Sequence, residues 1–188
     1  MKILLTGATG FVGSAILQAL QPSKVRVLGR NNPQKGIFDF VSADINSSAD
    51  YSKALVDIDV IIHLAARAHI MNDTNEDPLE AFREVNSLGA LNFARQAAEA
   101  GIKRFIFISS IKVNGEHTEL NKPFKHDDVS MPKDAYGISK SEAEFGLLEI
   151  SKEIGMEVVI IRPPLVYGPG VKANFAAMMK LAAKNLPL

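Results

Sequence analysis

The chain contains 188 residues, of which 47% are apolar and 22% are charged, values typical of one soluble globular domain with a substantial core. Lys and Arg together number 21, as do Asp and Glu, so we expect no nucleic-acid partner. The sequence contains no cysteine, which excludes disulfides, zinc–thiolate sites and a thiol nucleophile.

The apolar start of the chain superficially resembles a signal peptide, but Gly7, Gly10 and Gly13 interrupt it. No stretch of the sequence approaches the roughly 18 uninterrupted apolar residues of a membrane span. We therefore expect a cytoplasmic protein that does not bind a membrane.

Short apolar runs alternate with longer stretches of helical periodicity along the chain. Strands are predicted over residues 2–5, 25–29, 38–42, 60–64, 104–109 and 157–162. Helices are predicted over residues 11–20, 50–56, 78–100, 135–154 and 173–185. The apolar runs lack polar alternation, so we expect strands that are covered on both faces. This alternation predicts an α/β fold with a doubly wound parallel sheet, the Rossmann type.

Two predicted loops, over residues 65–77 and 111–133, are long for a compact domain. Loops above roughly 12 residues are usually functional or disordered. Both loops leave the carboxyl ends of strands, where open α/β sheets bind ligands. We expect these loops to carry functional residues.

The segment TGATGFVG joins the first predicted strand to the first predicted helix. Its Gly7, Gly10 and Gly13 are spaced one residue wider than the usual dinucleotide fingerprint. Glycines allow a tight turn and a close approach to a pyrophosphate, whose charge then meets the helix N-terminus. Gly13 is followed by Ser14 rather than by Lys, so the segment is not an NTPase P-loop. The segment predicts a dinucleotide site.

The residues after the second and third strands bear on the choice of cofactor. Arg30 ends the second strand, where an Arg pairs with the 2′-phosphate of NADP and an acidic residue binds the ribose of NAD. Arg30 therefore favours NADP, although a solvated surface Arg remains an alternative. Asp44 follows the third strand and could accept a hydrogen bond from adenine, or could simply stabilise a turn.

A helical stripe from residue 136 carries the second chemical signal. Its members are Tyr136, Lys140, Ala143, Leu147, Ile150 and Ile154, which predicts that Tyr136 and Lys140 face inward. A free Tyr has a pKa of about 10, and a nearby ammonium or an oxidised nicotinamide would lower it. Ser110, at the end of the fifth strand, could orient the substrate oxygen that Tyr136 protonates or deprotonates.

Other chemistries have weaker support in the sequence. The four histidines, at positions 63, 69, 117 and 126, lack the spacing of metal ligands, so we expect no metal site. The segment that begins at Gly137 lacks the second glycine of a nucleophile elbow.

The motifs together resemble the extended short-chain dehydrogenase/reductase family, and within it the nucleotide-sugar epimerases and dehydratases. The resemblance covers essentially the whole chain. It rests on TGATGFVG, Asp44-Ile45, His63-Leu-Ala-Ala, Asn86, Ser109-Ser110, Tyr136-x-x-x-Lys140 and Arg162-Pro-Pro-Leu-Val-Tyr-Gly-Pro-Gly. The segments SSIKVNGE and RPPLVYGPG look most like bacterial proteins grouped with UDP-glucose 4-epimerases, which are often connected with polysaccharide synthesis.

The resemblance implies a role for each matching residue. Tyr136 would be the acid/base, Lys140 its activator and ribose ligand, and Ser110 the hydroxyl partner. The implied cofactor-binding residues are Gly7, Gly10, Phe11, Val12 and Gly13 at the pyrophosphate, Arg30 at the ribose, Asp44 and Ile45 at adenine, Leu64, Ala65 and Ala66 at the middle of the dinucleotide, and Asn86, Ser109 and Pro163 elsewhere.

Three departures from the family pattern are visible. Arg30 stands where NAD-dependent epimerases usually carry Asp, and Leu165 where many relatives carry a sugar-contacting Asn. Family members are also considerably longer than this chain. We therefore expect residues 1–188 to form an NAD(P)-binding domain, with the C-terminal substrate-binding lobe largely absent.

The resemblance implies an NAD(P)-dependent C4 epimerase of a nucleotide sugar, expected to be UDP-linked, that uses Ser110, Tyr136 and Lys140. One alternative is an NADPH-dependent C4 reductase of a 4-keto-6-deoxy nucleotide sugar, and another is a non-catalytic NADP-binding sensor. A dehydratase is disfavoured because Ile111 and Lys112 replace the acidic pair of that group. A homodimer through a four-helix interface, built from helices 78–100 and 135–154, is also implied.

Overall fold

The computed structural model describes residues 1–68, 77–171 and 173–183. Its six parallel strands are β1 (Ile3–Thr6), β2 (Val25–Gly29), β3 (Asp39–Ser42), β4 (Val60–His63), β5 (Arg104–Ile108) and β6 (Glu157–Ile161). They form one sheet in the order β3-β2-β1-β4-β5-β6, which is the doubly wound Rossmann arrangement. The predicted fold class is confirmed, and each strand lies within one residue of its predicted bounds.

The helices lie between the strands in the predicted alternation. They are α1 (Phe11–Ala19), α2 (Ser52–Leu55), α3 (Pro78–Arg83), α4 (Ala90–Glu99), α5 (Ala135–Ile154) and α6 (Ala173–Ala182). Two short 3₁₀ turns, Pro22–Lys24 and Ile111–Val113, are additional to the prediction. Residues 69–76 of the first predicted loop and residues 184–185 of the last predicted helix lie outside the described part of the chain. Among the described residues, no helix has the length and apolar character needed to cross a membrane.

The stretch predicted as one helix over residues 78–100 is interrupted. A π-helical segment, Glu84–Gly89, joins α3 to α4. Gly89 lies against the loop after β3, because a Cβ at this position would be 2.9 Å from the backbone nitrogen of Asn46. π-Helical turns occur frequently at functional sites, and the apolar periodicity of the sequence does not reveal them.

The two edge strands are less buried than the other strands, although Phe40 and Val41 of β3 still pack against clusters on opposite faces of the sheet. All of β1 is buried, whereas the residues of β3 and β6 are half-buried or exposed. An edge strand has a neighbour on one side only, and the strand order that creates the edges is not visible in the apolar pattern of one run.

Helices cover both faces of the sheet. On one face Phe93 of α4 and Leu147 of α5 pack with Phe105 of β5, and all three side chains are fully buried. On the other face Leu17 of α1 packs with Leu5 of β1. Burying each such side chain contributes about 1.5–3 kcal/mol. Because both faces are covered, a ligand meets the sheet at the carboxyl ends of its strands, which we call the carboxyl edge.

The inward stripe of α5 is largely confirmed. Lys140, Ala143, Leu147 and Ile150 are buried, as predicted. Ile154 is 39% exposed, so its predicted inward position is wrong. α5 has 20 residues and extends about 30 Å, whereas the five-residue strands beneath it extend about 17 Å, so its last turn passes beyond the sheet.

Candidate nucleotide-binding and catalytic site

The glycine-rich turn lies between β1 and α1 at the carboxyl edge. Gly7 has a φ of +70°, and a Cβ there would be 2.7 Å from the backbone nitrogen of Ala65. A Cβ on Gly13 would be 2.1 Å from the carbonyl oxygen of Gly7. The turn therefore folds closely on itself and on the end of β4, which only glycine allows.

The N-terminus of α1 is open to a ligand. Its N-cap residue is Gly10, which makes no side-chain cap hydrogen bond, and the first turn begins with Phe11, Val12 and Gly13. Uncapped N–H groups and the positive end of the helix dipole suit an anionic pyrophosphate. The turn thus fits the group predicted for it, since its glycines place no side chain in front of these donors.

Thr6 fixes the end of β4 beside the glycine-rich turn. Its Oγ1 accepts hydrogen bonds from the backbone N–H groups of Leu64, at 3.2 Å, and Ala65, at 3.1 Å. The remaining O–H of Thr6 can therefore donate to Nδ1 of His63, which lies 2.9 Å away. Leu64 and Ala65 are two of the predicted cofactor ligands, with the exposed Ala66 following them. Sequence reasoning missed Thr6.

His63 is a core residue rather than a catalytic one. Its ring is fully buried and stacks on Phe107, with centroids 5.9 Å apart. Burial first, and then the charge of Lys140, lower the pKa of His63 to about 3. Its Nε2 has no hydrogen-bond partner in the described part of the chain. The bond from Thr6 requires the tautomer that carries the proton on Nε2.

Arg30 and Asp44 lie side by side at the ends of β2 and β3. Their Nε and Oδ1 atoms are 3.7 Å apart, and the two side chains are 80% and 65% exposed. Each is free to turn toward a ligand at the predicted adenosine end. Ile45, the other predicted adenine contact, is buried in the core.

Asn86 binds the loop after β4 to α5. Its Oδ1 accepts from the backbone N–H of Arg67 at 2.7 Å, and its Nδ2 donates to the carbonyl of Arg67 and to Oγ of Ser139, both at 3.0 Å. Ser139 Oγ in turn donates to the carbonyl of Tyr136 at 2.8 Å. Asn86 therefore holds the loop to the first turn of α5, through Arg67 rather than through the neighbouring Ala66.

Ser110 and Pro163 lie on adjacent strand ends. Ser110 caps the 3₁₀ turn that follows β5, since its Oγ accepts from the backbone N–H of Lys112 at 3.2 Å. The N–H of Ile111 donates to the carbonyl of Pro163 at 3.1 Å. The turn also packs against α5, where a Cβ on Gly137 would be 3.1 Å from the carbonyl oxygen of Lys112. The strand end that carries Ser110 thus meets the helix that carries Tyr136 and Lys140.

Tyr136 lies in the first turn of α5, where two charged side chains act on it. Asp134 caps the helix by accepting from the N–H of Gly137 at 2.6 Å, and its other oxygen pairs with Nζ of Lys112. Burial first, and then the charge of Asp134, raise the pKa of Tyr136, while Lys112 lowers it. The lowered pKa predicted from a nearby ammonium and an oxidised nicotinamide concerns the cofactor-bound site and stays a prediction. The protein's own groups keep the phenol protonated at neutral pH.

Lys140 is buried one turn after Tyr136. Only 1% of its surface is exposed, and its Nζ lies 3.9 Å from the centroid of the Phe107 ring. Burial lowers its pKa to about 7, against the charge of Glu144, which raises it. The ring face of Phe107 partly replaces water around the ammonium.

Ser109 belongs to a buried polar network that sequence reasoning missed. Its Oγ donates to Oε1 of Glu144 at 2.5 Å, and Arg162 binds the same carboxylate through Nε and Nη2. The guanidinium of Arg162 is thus turned inward to Glu144. A signal was present, since Glu144 follows Lys140 by four residues and shares its side of the helix.

These features define a Rossmann-type nucleotide-binding domain with a glycine-rich turn after β1 and with a Tyr and a buried Lys on the helix that packs against the turn after β5. The chain belongs to the NAD-dependent epimerase/dehydratase family, whose sequence profile matches residues 3–186. This confirms the family to which the motifs pointed.

Individual relatives agree with this assignment. A UDP-glucose 4-epimerase of Vibrio cholerae is 51% identical over the whole chain, which spans 58% of that protein. The crystal structure of a UDP-glucuronic acid 4-epimerase from Bacillus cereus in complex with NAD superposes with a TM-score of 0.80 at 29% identity, over all of this chain and 65% of that one. A UDP-glucose 4-epimerase of Thermotoga maritima with UDP-glucose gives a TM-score of 0.77 at 26% identity, over 95% of this chain and 61% of that one.

Proposed function

We propose that the protein is a cytoplasmic NAD(P)-dependent C4 epimerase of a UDP-linked sugar, similar to UDP-glucose 4-epimerase. The observation that carries this proposal is the buried Lys140, one turn after Tyr136 on the helix that packs against the Ser110 turn. Burying a lysine is costly, so its place at the carboxyl edge is better explained by chemistry than by stability. The similarity to epimerases supports the same conclusion.

The proposed cofactor is NAD, which the Bacillus cereus relative binds. The N-terminus of α1 and the glycine-rich turn would hold its pyrophosphate, while Lys140 would hold the nicotinamide ribose. NAD⁺ held there would supply the hydride acceptor and donor for C4 of the sugar.

Three side chains would handle the proton that accompanies this transfer. Tyr136 Oη removes the proton from the C4 hydroxyl and later returns it. The ammonium of Lys140 favours the phenolate form of Tyr136. Ser110 can donate its O–H to the substrate oxygen, because its Oγ already accepts the backbone N–H of Lys112.

The test is conversion of UDP-glucose to UDP-galactose by the full-length protein, which includes the sugar-selecting lobe, in the presence of NAD⁺, followed by NMR. Changing Tyr136→Phe should abolish conversion while leaving NAD⁺ binding, measured by equilibrium dialysis, within about twofold of the unmutated protein. If the Tyr136→Phe protein converts the sugar at the original rate, the proposed role of Tyr136 is wrong.

A net C4 reductase that uses NADPH is the second candidate, and Arg30 is the observation that favours it. Its side chain is largely exposed at the end of β2, and its Nε lies 3.7 Å from Oδ1 of Asp44. Changing Arg30→Ala should weaken binding of NADP⁺ by about tenfold if Arg30 pairs with the 2′-phosphate. Equal binding of NADP⁺ by both proteins would remove the support for the reductase.

We propose that residues 1–188 form the NAD(P)-binding domain, and that the lobe that selects the sugar lies largely outside them. The chain spans about three-fifths of the curated relative. Leu165, Val166 and Tyr167, which follow β6, have exposed apolar surface that such a lobe would cover.

A homodimer through α4 and α5 is the proposed assembly. Phe145 and Leu148 of α5 are exposed, as is Leu88 in the neighbouring π-helical segment. A second copy packed on these helices would bury this exposed apolar surface. Changing Phe145→Asp should yield monomers in sedimentation velocity, and an unmutated protein that sediments as a monomer would contradict this assembly.

A further inference from the structure

Glu144 is a buried carboxylate to which neither the family pattern nor the proposed reaction assigns a role. It lies one helical turn after Lys140, and only 4% of its surface is exposed. Its Oε1 accepts from Ser109 Oγ at 2.5 Å and from Arg162 Nε at 3.0 Å, and its Oε2 accepts from Arg162 Nη2 at 2.5 Å. Two donors thus satisfy both oxygens in the interior.

The network continues from Arg162 into the loop after β5. Its Nη1 donates to Oδ1 of the buried Asn114 at 3.1 Å, and Nδ2 of Asn114 donates to the carbonyl of Lys125 at 3.1 Å. A single carboxylate on α5 is therefore connected to the end of β5, the end of β6 and the loop between β5 and α5.

Glu144 and its two direct partners are close neighbours in sequence of proposed site residues. Ser109 directly precedes Ser110, and Arg162 directly precedes Pro163. Glu144 follows Lys140 at the i+4 spacing that places both on one side of α5. A shift of the carboxylate would therefore displace the strand end and the helix that carry the proposed catalytic groups.

Stability alone is a poor explanation for this arrangement. A buried ion pair loses the hydration of both charges, and replacing it with apolar side chains is often neutral or stabilising. A bidentate pair instead restricts geometry, because a planar guanidinium can donate both hydrogen bonds to a carboxylate only within a narrow range of positions.

We propose that Glu144 is a positioning residue of the epimerase site, held by Arg162, that keeps the Ser110 strand end in register with α5 and keeps a buried carboxylate one helical turn from Lys140. This inference rests on the proposed function for its purpose. Its test uses a property of the free protein and does not require turnover.

The surroundings of Lys140 identify Glu144 as the group that supports its charge. His63 faces it from β4 and is neutral, while Phe107 of β5 offers only a ring face. Tyr136, one turn earlier on α5, is protonated because its pKa is raised. Burial lowers the pKa of Lys140 and the Glu144 carboxylate raises it. Removing the carboxylate should therefore lower that pKa further.

The experiment compares Glu144→Gln with Glu142→Gln in the cofactor-free chain. Glu142 is a matched control, because it lies on the same helix and binds Arg83 through the same fork, at 3.0 and 2.6 Å, without contacting Ser109. The Cε resonance of Lys140, in protein labelled with ¹³C-lysine and identified by its loss in Lys140→Met, reports the titration of the amine. The midpoint should move to lower pH in Glu144→Gln and stay unchanged in Glu142→Gln.

A second variant keeps the proposal testable if the unpaired Arg162 unfolds the first one. Glu144→Gln combined with Arg162→Met removes both charges of the pair, and its Lys140 midpoint should also lie below that of the unmutated protein. An unchanged midpoint in either folded protein would overturn the proposal. A full-length protein, with its sugar-selecting lobe, that shows the shift but never converts a UDP-sugar would refute the proposed function while leaving the link between Glu144 and Lys140 intact.

Discussion

Replacing Lys140 with Met should make the protein more stable, and the size of the gain should depend on pH. In the folded chain the pKa of Lys140 is about 7, because burial disfavours the charged amine, against an ordinary lysine value of 10.5. Below pH 7 the amine is charged in both the folded and unfolded states, so the folded protein carries the whole cost of a buried charge. As the pH rises from 7 toward 10.5, only the unfolded state binds the proton, and this cost is progressively relieved.

The magnitude follows from the difference between the two pKa values. One pKa unit corresponds to about 1.4 kcal/mol, so the full cost is about 5 kcal/mol. Methionine has a similar length and no charge, so the stability advantage of Lys140→Met should decrease by about 3 kcal/mol between about pH 6 and about pH 9. His63 does not disturb the comparison, because burial, the main cause of its lowered pKa, keeps it neutral in both proteins.

Urea denaturation followed by circular dichroism measures both proteins at each pH. Taking the difference between them cancels the other titrating groups, which the two proteins share. Lys152→Met is the control, because Lys152 lies on the same helix with its side chain 74% exposed. Its stability difference from the unmutated protein should stay constant with pH. A Lys140→Met difference that is also constant across this range would refute the assignment of a costly buried charge.

Two further predictions concern the turn and the phenol. Changing Gly13→Ala should reduce stability by about 1–3 kcal/mol in urea denaturation and weaken NAD⁺ binding, because the new Cβ would lie 2.1 Å from the carbonyl oxygen of Gly7. Asp134→Asn should lower the pKa of Tyr136, and Lys112→Met should raise it, since the two charges act on the phenol in opposite directions. Phenolate absorbance measures this pKa cleanly, because the chain has three Tyr and no Trp.

Each of these predictions has an internal check. Gly29→Ala serves as the stability control for the turn, since nothing lies within 4 Å of a Cβ at that position. The signal of Tyr136 is isolated by subtracting the titration of Tyr136→Phe. Asn at position 134 can still accept the N–H of Gly137, so the helix cap is kept while the charge is lost. Shifts of the same sign in both variants would contradict the opposed-charge explanation.

The local elements and the glycine-rich turn could be predicted because their signals are short-range. An apolar run such as β1 predicts a buried strand. The spacing of Gly7, Gly10 and Gly13 predicts the turn without information about the rest of the fold. The inward position of Lys140 was likewise visible from the stripe it shares with Leu147. The π-helical segment is the local element that was not predicted, because one wider turn does not change the apolar pattern detectably.

Contacts between distant segments could not be read from the sequence. Glu144 lies in α5 and Arg162 follows β6, and neither local sequence indicates that the two side chains will form an ion pair. The same holds for Thr6 and His63, which are joined only because β1 and β4 are neighbours in the sheet. The raised pKa of Tyr136 in the protein alone could not be predicted for this reason, because the charges of Asp134 and Lys112 depend on how one loop packs on α5.

The opposite pKa changes of Lys140 and Tyr136 have a consequence for the number of protons at the site. Free tyrosine and lysine ionise at nearly the same pH, near 10.0 and 10.5, but in this fold the amine loses its proton first, near pH 7, and the phenol later. In the interval between, the pair consists of a neutral amine and a neutral phenol. That pair holds as many protons as an ammonium beside a phenolate, so the two arrangements are tautomers of one protonation state. Conversion of the resting pair to the ion pair of the proposed reaction therefore requires no proton from solvent, and its equilibrium should be independent of pH throughout that interval.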